Sequence, residues 1–470
     1  MNKTHRIVWS EARQTYVVAH ENAASSGKPS STRKGVVQAV AVALLALGAG
    51  QAAAVDSCVG VTVIATNKTD PCLLTTGESV TINNGFSLAV SGASERAVTV
   101  EGATGSGAIA AGDILNNGTI ASVVSGQSAI RLLPGVSAGL MAISIPRVSV
   151  SSITNNGLIN AGSEGGIVME YAADSDGWKI GTTITGDIIN TGTITTAGTD
   201  AIRGIGATIG GRIVNNSLIQ GQIKFFTSVI TSGITNTGTV SGPNTAGLNM
   251  WPVQVGDIKN TGLIQGTRGV NIGGATTTIA SITNDGTINA SSGFGLALVS
   301  GASVAHGLSN SGTIEGKSFG AQVDRSTVSG GITNSGLIQS VANVSAYALA
   351  MFTSTINGGI TNTGTIVAQA GSSHTGYAIR INNSTINGGI VNTGKIQSTT
   401  GTTAFGININ GSVLASITNS GVIEGNTNGI RISSTSTLGS LTNSGTISGS
   451  NAIDAGGGGL NSLVIEGANT

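Results

Sequence analysis

A nine-residue phrase, Gly358-Gly359-Ile360-Thr361-Asn362-Thr363-Gly364-Thr365-Ile366, is written through the chain again and again with small changes. Its asparagine recurs as Asn116, Asn155, Asn190, Asn215, Asn236, Asn260, Asn284, Asn310, Asn334, Asn362, Asn392, Asn419 and Asn443. Glycine follows two residues later each time, except that Ser217 stands after Asn215. From Asn190 onward the steps are 21–30 residues. Self-similarity at a period in the twenties is the mark of a solenoid, in which each repeat buries its apolar side against its neighbours.

The unit has a physical reading. An apolar residue two before the asparagine (Ile234, Ile282, Ile332, Ile360, Ile390, Ile417) and Ile or Val four after it flank a turn tripeptide. Asn tolerates the left-handed conformation and Gly supplies positive φ at no steric cost, so Asn-x-Gly is expected to bend two short strands sharply. Stacked turns would place the asparagine amides about 4.8 Å apart, each donating to the next in a ladder. Isolated Asn-Gly hairpins would not recur once per coil at this spacing. A second signal lies between the turns. Ala201-Ile202-Arg203, Gly247-Leu248-Asn249-Met250, Ala378-Ile379-Arg380-Ile381 and Gly429-Ile430-Arg431-Ile432 alternate with period two, as in a strand with one buried face. About three short strands per coil predict an all-β chain folded as a right-handed parallel β-helix; the Leu-x-x-Leu-x-Leu signature of leucine-rich repeats is absent.

Composition fits stacked strands. The chain has 73 Gly, 6 Pro, 3% aromatic and 9% charged residues among 470, and Thr, Ser, Asn, Gly, Ile and Val dominate, as β structure and tight turns require. Net charge is zero overall, but residues 1–34 hold six basic and two acidic side chains. Of the 21 and 21 in the chain, 15 basic and 19 acidic remain in 55–470, a mildly acidic body at −4. That argues against a nucleic-acid partner, which needs a basic face.

Residues 35–54 carry an apolar run too short to span a bilayer comfortably, preceded by Arg33-Lys34 and ending in small residues. Ala52 and Ala54 fit an Ala-x-Ala cleavage site, so this is a Sec-type signal segment cut near Ala54. The stretch ahead of it, 1–34, is unusually long. Met1-Asn2-Lys3, Arg6, Val8-Trp9, Tyr16-Val17, Glu21, Ala24 and Gly27-Lys28 resemble the extended signal peptide region of type V secretion in Gram-negative bacteria. Tyr16 and Ser10 depart from residues common there, Trp and Asn. The resemblance implies export through the Sec translocon and delivery to the outer membrane and cell surface, with an outer-membrane β-barrel and the barrel assembly machinery as partners. With the repeats, it makes the chain similar to an autotransporter passenger.

Cys58 and Cys72 are the only cysteines, with thirteen residues between them, in a segment bound for an oxidising compartment. A disulfide there would staple an N-terminal cap over 55–95, and Asn83-Asn84-Gly85 reads as a first, irregular rung. The coils are expected over 96–455, with inserted loops at Leu132–Val150 and Glu164–Lys179. The Gly-rich tail, 456–470, shows neither a capping element nor the alternating strands of a β-barrel. The expectation is a fragment, a truncated product or a passenger using a barrel in trans.

Chemistry is sparse. His306 and His374 stand alone without metal-ligand spacing, and Asp113, Asp187 and Asp257 each precede a ladder asparagine by three, in non-adjacent rungs. Paired carboxylates for glycoside hydrolysis would need neighbouring positions. Glu164, Glu170, Asp174 and Asp176 form one acidic cluster that could offer oxygen ligands to calcium, but not in an EF-hand order. No serine elbow or phosphate-binding glycine loop is present. The expectation is a non-catalytic adhesin or surface-interaction rod with neither cofactor nor metal. The alternatives are the secreted partner of a two-partner system and a polysaccharide-active enzyme on the same scaffold.

Overall fold

The structure, a computed structural model, describes residues 5–10, 15–20, 58, 61–93, 95–102, 108–134, 147–173 and 179–466. The signal segment 35–54 with Ala52 and Ala54 lies outside the described residues, as do Asp174, Asp176 and Trp178. Two units separate, at Met1–Ala52 and Ala53–Thr470. In the first, His5–Ser10 pairs antiparallel with Thr15–His20.

The second unit is a parallel β-solenoid of about 14 turns. One coil shows the plan. Ile360–Asn362 leads into the turn, Thr365–Gln369 follows it, Thr375–Asn382 forms a long third strand, and Thr385–Ile386 returns to the next turn strand, Ile390–Asn392. Each strand pairs in parallel with its counterpart one coil away. The short returning strand has no counterpart in the three-strand expectation. In Thr278–Asn284, Val413–Asn419 and Thr437–Asn443 it is continuous with the turn strand, so the coil still has three faces. Alternation explains the burial: Thr365, Val367 and Gln369 point outward, while Ile366 and Ala368 are buried. Inside, isoleucines stack upon isoleucines, as Ile332, Ile360 and Ile390 do in register. Each such side chain contributes about 1.5–3 kcal/mol relative to exposure.

The coils run past the 96–455 span at both ends. Val61–Ile64 already pairs in parallel with Ser79–Ile82, and Gly459–Leu460 and Leu463–Ile465 pair with Thr437–Asn443. The strands described over 61–90 are therefore already part of the coil, and the tail adds strands to the last turn. The reason is visible in Ser79–Ile82 and Ser87–Val90, whose outward-inward alternation makes half-buried strands on either side of Asn83-Asn84-Gly85.

Candidate functional site

The thirteen recurrent asparagines form one continuous column. Each Nδ2 donates to the Oδ1 of the next at 2.7–2.8 Å, from Asn116 to Asn155 through to Asn419 to Asn443. Inside the column Nδ2 also donates to two carbonyls, as Asn310 does to Gly312 O at 3.2 Å and Leu337 O at 3.1 Å. Every polar atom of such a side chain is used internally, so the ladder is structural. It starts at Asn116. Ile82, not Asn83 or Asn84, stands in register before Asn116, and Asn116 Oδ1 is buried without a donor.

The glycines of the turn serve a different purpose from the one expected. None of Gly157, Gly312 and Gly364 has φ in the left-handed region. Instead, a Cβ on Gly312 would lie well inside 3.0 Å of Gly286 O, one coil below, and Gly157 and Gly364 meet the same obstacle in Gly118 and Gly336. Glycine is required by the close approach of stacked backbones, not by the bend. Ser217 shows the consequence: Leu218 N reaches Gly192 O at 3.4 Å, where the equivalent bond at Thr239 is 2.7 Å. Left-handed corners fall elsewhere, after the third strand, at Ser300, Arg325, Thr353 and Asn383. Beside them runs a second buried polar column, in which the Ser326, Ser354, Ser384 and Ser412 amides donate to the Oγ of Ser354, Ser384, Ser412 and Ser436 at 3.0–3.3 Å.

The candidate chemical residues are placed as follows. Asp113 accepts from Ser152 Oγ at 2.7 Å, Asp187 from the Arg212 amide at 2.7 Å and Asp257 from Ser281 Oγ at 2.6 Å, so all three tie one coil to the next. His306 is exposed, and His374 Nδ1 lies 3.2 Å from Ser373 Oγ. Cys58 and Cys72 are disulfide-bonded and buried. Glu164 and Glu170 do not form an open acidic cluster. Arg96 Nε sits 3.3 Å from Glu164, and Glu170 takes Arg131 at 2.8 Å and Arg203 at 2.5 Å. Burial pushes the Glu164 carboxyl up, but Arg96, Arg131 and hydrogen bonds from Ser128 and Arg96 outweigh it and hold it below the usual value. Carboxylates engaged this way offer little to calcium.

These arginines belong to a larger pattern. The centre of the long third strand presents one outward column, in register from Arg131 through Val168, Arg203, Lys224, Asn249, Asn271, Ala297, Gln322, Ala350, Arg380 and Asn408 to Arg431 and Asp454. Five of the body's 15 basic residues fall in this one column. Next to it runs a column of rings: Phe294, Phe319, Tyr347, Tyr377 and Phe405. The last four stack at centroid distances of 4.8, 5.1 and 5.2 Å. Arg380 lies 4.7 Å from the Tyr377 centroid, 5.4 Å from Tyr347 and 5.5 Å from Phe352; Arg268 and Arg431 cover Phe294 and Phe405. Burial raises the Tyr377 hydroxyl above its usual value against the opposing pull of Arg380. Sequence reading missed this face, although a signal existed. An aromatic stands two before the first apolar residue of five third strands, in Phe294-Gly-Leu, Phe319-Gly-Ala, Tyr347-Ala-Leu, Tyr377-Ala-Ile and Phe405-Gly-Ile.

Residues 1–50 match the family described as Extended Signal Peptide of Type V secretion system. No curated protein and no solved structure matches the chain. Type V secretion implies Sec export followed by an outer-membrane barrel partner. An extended signal peptide of this kind, ahead of a parallel β-solenoid, fits the passenger of an autotransporter, exported in a Gram-negative bacterium to the surface or beyond.

Proposed function

We propose that this passenger is an adhesin-type rod that works by binding, not catalysis, through the outward face of its long third strands. The observation that carries the reading is the single basic column from Arg131 to Arg431 with the aromatic column beside it, in a chain with 9% charged and 3% aromatic residues. Aromatic and arginine side chains supply much of the binding energy at protein surfaces. The acids at the column, Glu164, Glu170, Asp200 and Asp454, each lie within 4.0 Å of one of its cations, an arrangement suited to holding those cations in place and poorly suited to proton transfer. The test coats beads with the purified chain and measures adherence to cultured cells against beads with a blocked coat. Adherence that soluble chain competes away supports the reading. Beads that adhere no better than blocked ones, or turnover of polyuronate, glucan or casein by the purified chain, would overturn it.

A further inference from the structure

The cations of the basic column are not equivalent. Arg131 and Arg203 are spent on Glu170, Lys224 lies 3.5 Å from Asp200, and Arg431 lies 3.7 Å from Asp454. Among the described residues Arg380 has no carboxylate within 4.0 Å. Its Nη1 donates to Tyr347 Oη at 3.2 Å, and its Nε is buried without a partner. It is held instead by the faces of Tyr347, Tyr377 and Phe352. Ala350, the residue one coil back in the same column, is fully buried between Tyr347 and Phe352, and so small a side chain leaves room for the guanidinium to fold over both rings. A guanidinium carries five donors in a planar fork; with one Nη1 proton on Tyr347 Oη and Nε buried, Arg380 keeps three of them for a ligand.

What flanks the fork narrows the ligand. On one side lie the Tyr347 and Tyr377 rings. On the other are neutral amides: Asn410 donates to Asn382 at 2.6 Å, and Asn408 sits in the column between Arg380 and Arg431. Arg431 is two coils from Arg380, about 10 Å along the axis. We propose that this strip binds an anionic polysaccharide laid along the solenoid, a carboxylate or sulfate group meeting the Arg380 fork and a second meeting the Nη atoms of Arg431, whose Nε faces Asp454, with its sugar rings against the tyrosines and asparagines. Attraction by overall charge cannot produce such binding, because residues 55–470 carry 15 basic and 19 acidic groups. The inference names a ligand class for the face proposed above and rests on that reading.

The test is affinity electrophoresis of the purified chain through gels containing polygalacturonate, dextran sulfate, polyglutamate or unmodified dextran. Retardation by one or both of the first two, and not by dextran, is expected; which of them retards separates carboxylate from sulfate. Arg380→Gln should weaken binding about tenfold or more, the loss expected for a charge-assisted fork. Arg380→Lys should lose most of it as well, because an ammonium keeps the charge but not the fork. Arg325→Gln, paired with Asp324 at a corner, should leave it unchanged. A circular dichroism melt checks that each variant folds; if Arg380→Gln does not, Arg431→Gln carries the comparison. Equal retardation by dextran, full binding by a folded Arg380→Gln or Arg380→Lys, or polyglutamate binding as tightly would overturn the proposal. Beads that still adhere to cells when neither polyanion retards the chain would sink this site and leave the binding-rod reading standing.

Discussion

Replacing Asn310 by Leu tests whether the asparagine column is held by mutual satisfaction or merely tolerated. Asn310 lies inside the ladder, and its loss removes four hydrogen bonds: to Asn334, Gly312 and Leu337, and from Asn284. Asn334 Oδ1 is then buried with no donor, whereas Asn284 keeps Gly286 and Thr313 as acceptors. Lost bonds at about 1 kcal/mol each and an orphaned acceptor at about 1–3 kcal/mol outweigh the apolar burial that Leu adds, leaving a cost of about 3 kcal/mol. Asn116→Leu is the internal control. Only two bonds disappear there, to Asn155 and Leu158, and the orphan merely moves, because Asn116 Oδ1 already lacks a donor above Ile82. Its expected cost is about 1 kcal/mol or less. Any strain from the bulkier Leu is common to both sites and cancels in the comparison. Native-state hydrogen exchange read by mass spectrometry suits the question, because a solenoid opens by local units coupled to their neighbours. Peptides within one coil of position 310 should lose protection strongly, and those around 116 little. Equal costs at the two positions would refute the accounting.

Gly312→Ala should open the coils around Gly286 and Gly312, whereas Ser217→Gly should raise protection at the Leu218 amide by letting its 3.4 Å bond shorten; protection factors at those amides check both. Glu164 has a folded-state pKa below its ordinary value of 4.5, so its contribution to stability is present above that value and lost as pH falls through the lower folded value. Urea unfolding across that window should show the native chain losing stability relative to Glu164→Gln, and parallel acid limbs would count against the arginine cluster. Reducing Cys58–Cys72 removes a crosslink worth about 3 kcal/mol in chain entropy for so short a loop. Exchange should rise over residues 61–90 and stay unchanged over 260–443, and an even rise along the chain would contradict the local reading.

Much of the coil is legible in the order of the residues. The asparagines and the isoleucines around them lie within five residues of one another, and the alternation of Ala378-Ile379-Arg380-Ile381 is itself the pattern of a half-buried strand. What acts across coils is not legible there. The turn glycines look like conformational devices, and their actual constraint comes from an oxygen one coil away, as at Gly312 and Gly286. The serine column escapes notice because serine is common throughout the sequence.

The sequence alone determined that this chain stacks: a local phrase repeated at a nearly constant period has no other way to bury its isoleucines and satisfy its asparagines. Only the tertiary structure decided which residues meet. A neighbour one coil away is 21 to 39 residues distant in the ladder, and each insertion resets the count. Thus Glu164 finds Arg96, Ile82 rather than Asn83 ends the amide column, and Arg380 comes to rest on Tyr347, 33 residues before it, because parallel pairing sets the register and sequence spacing does not.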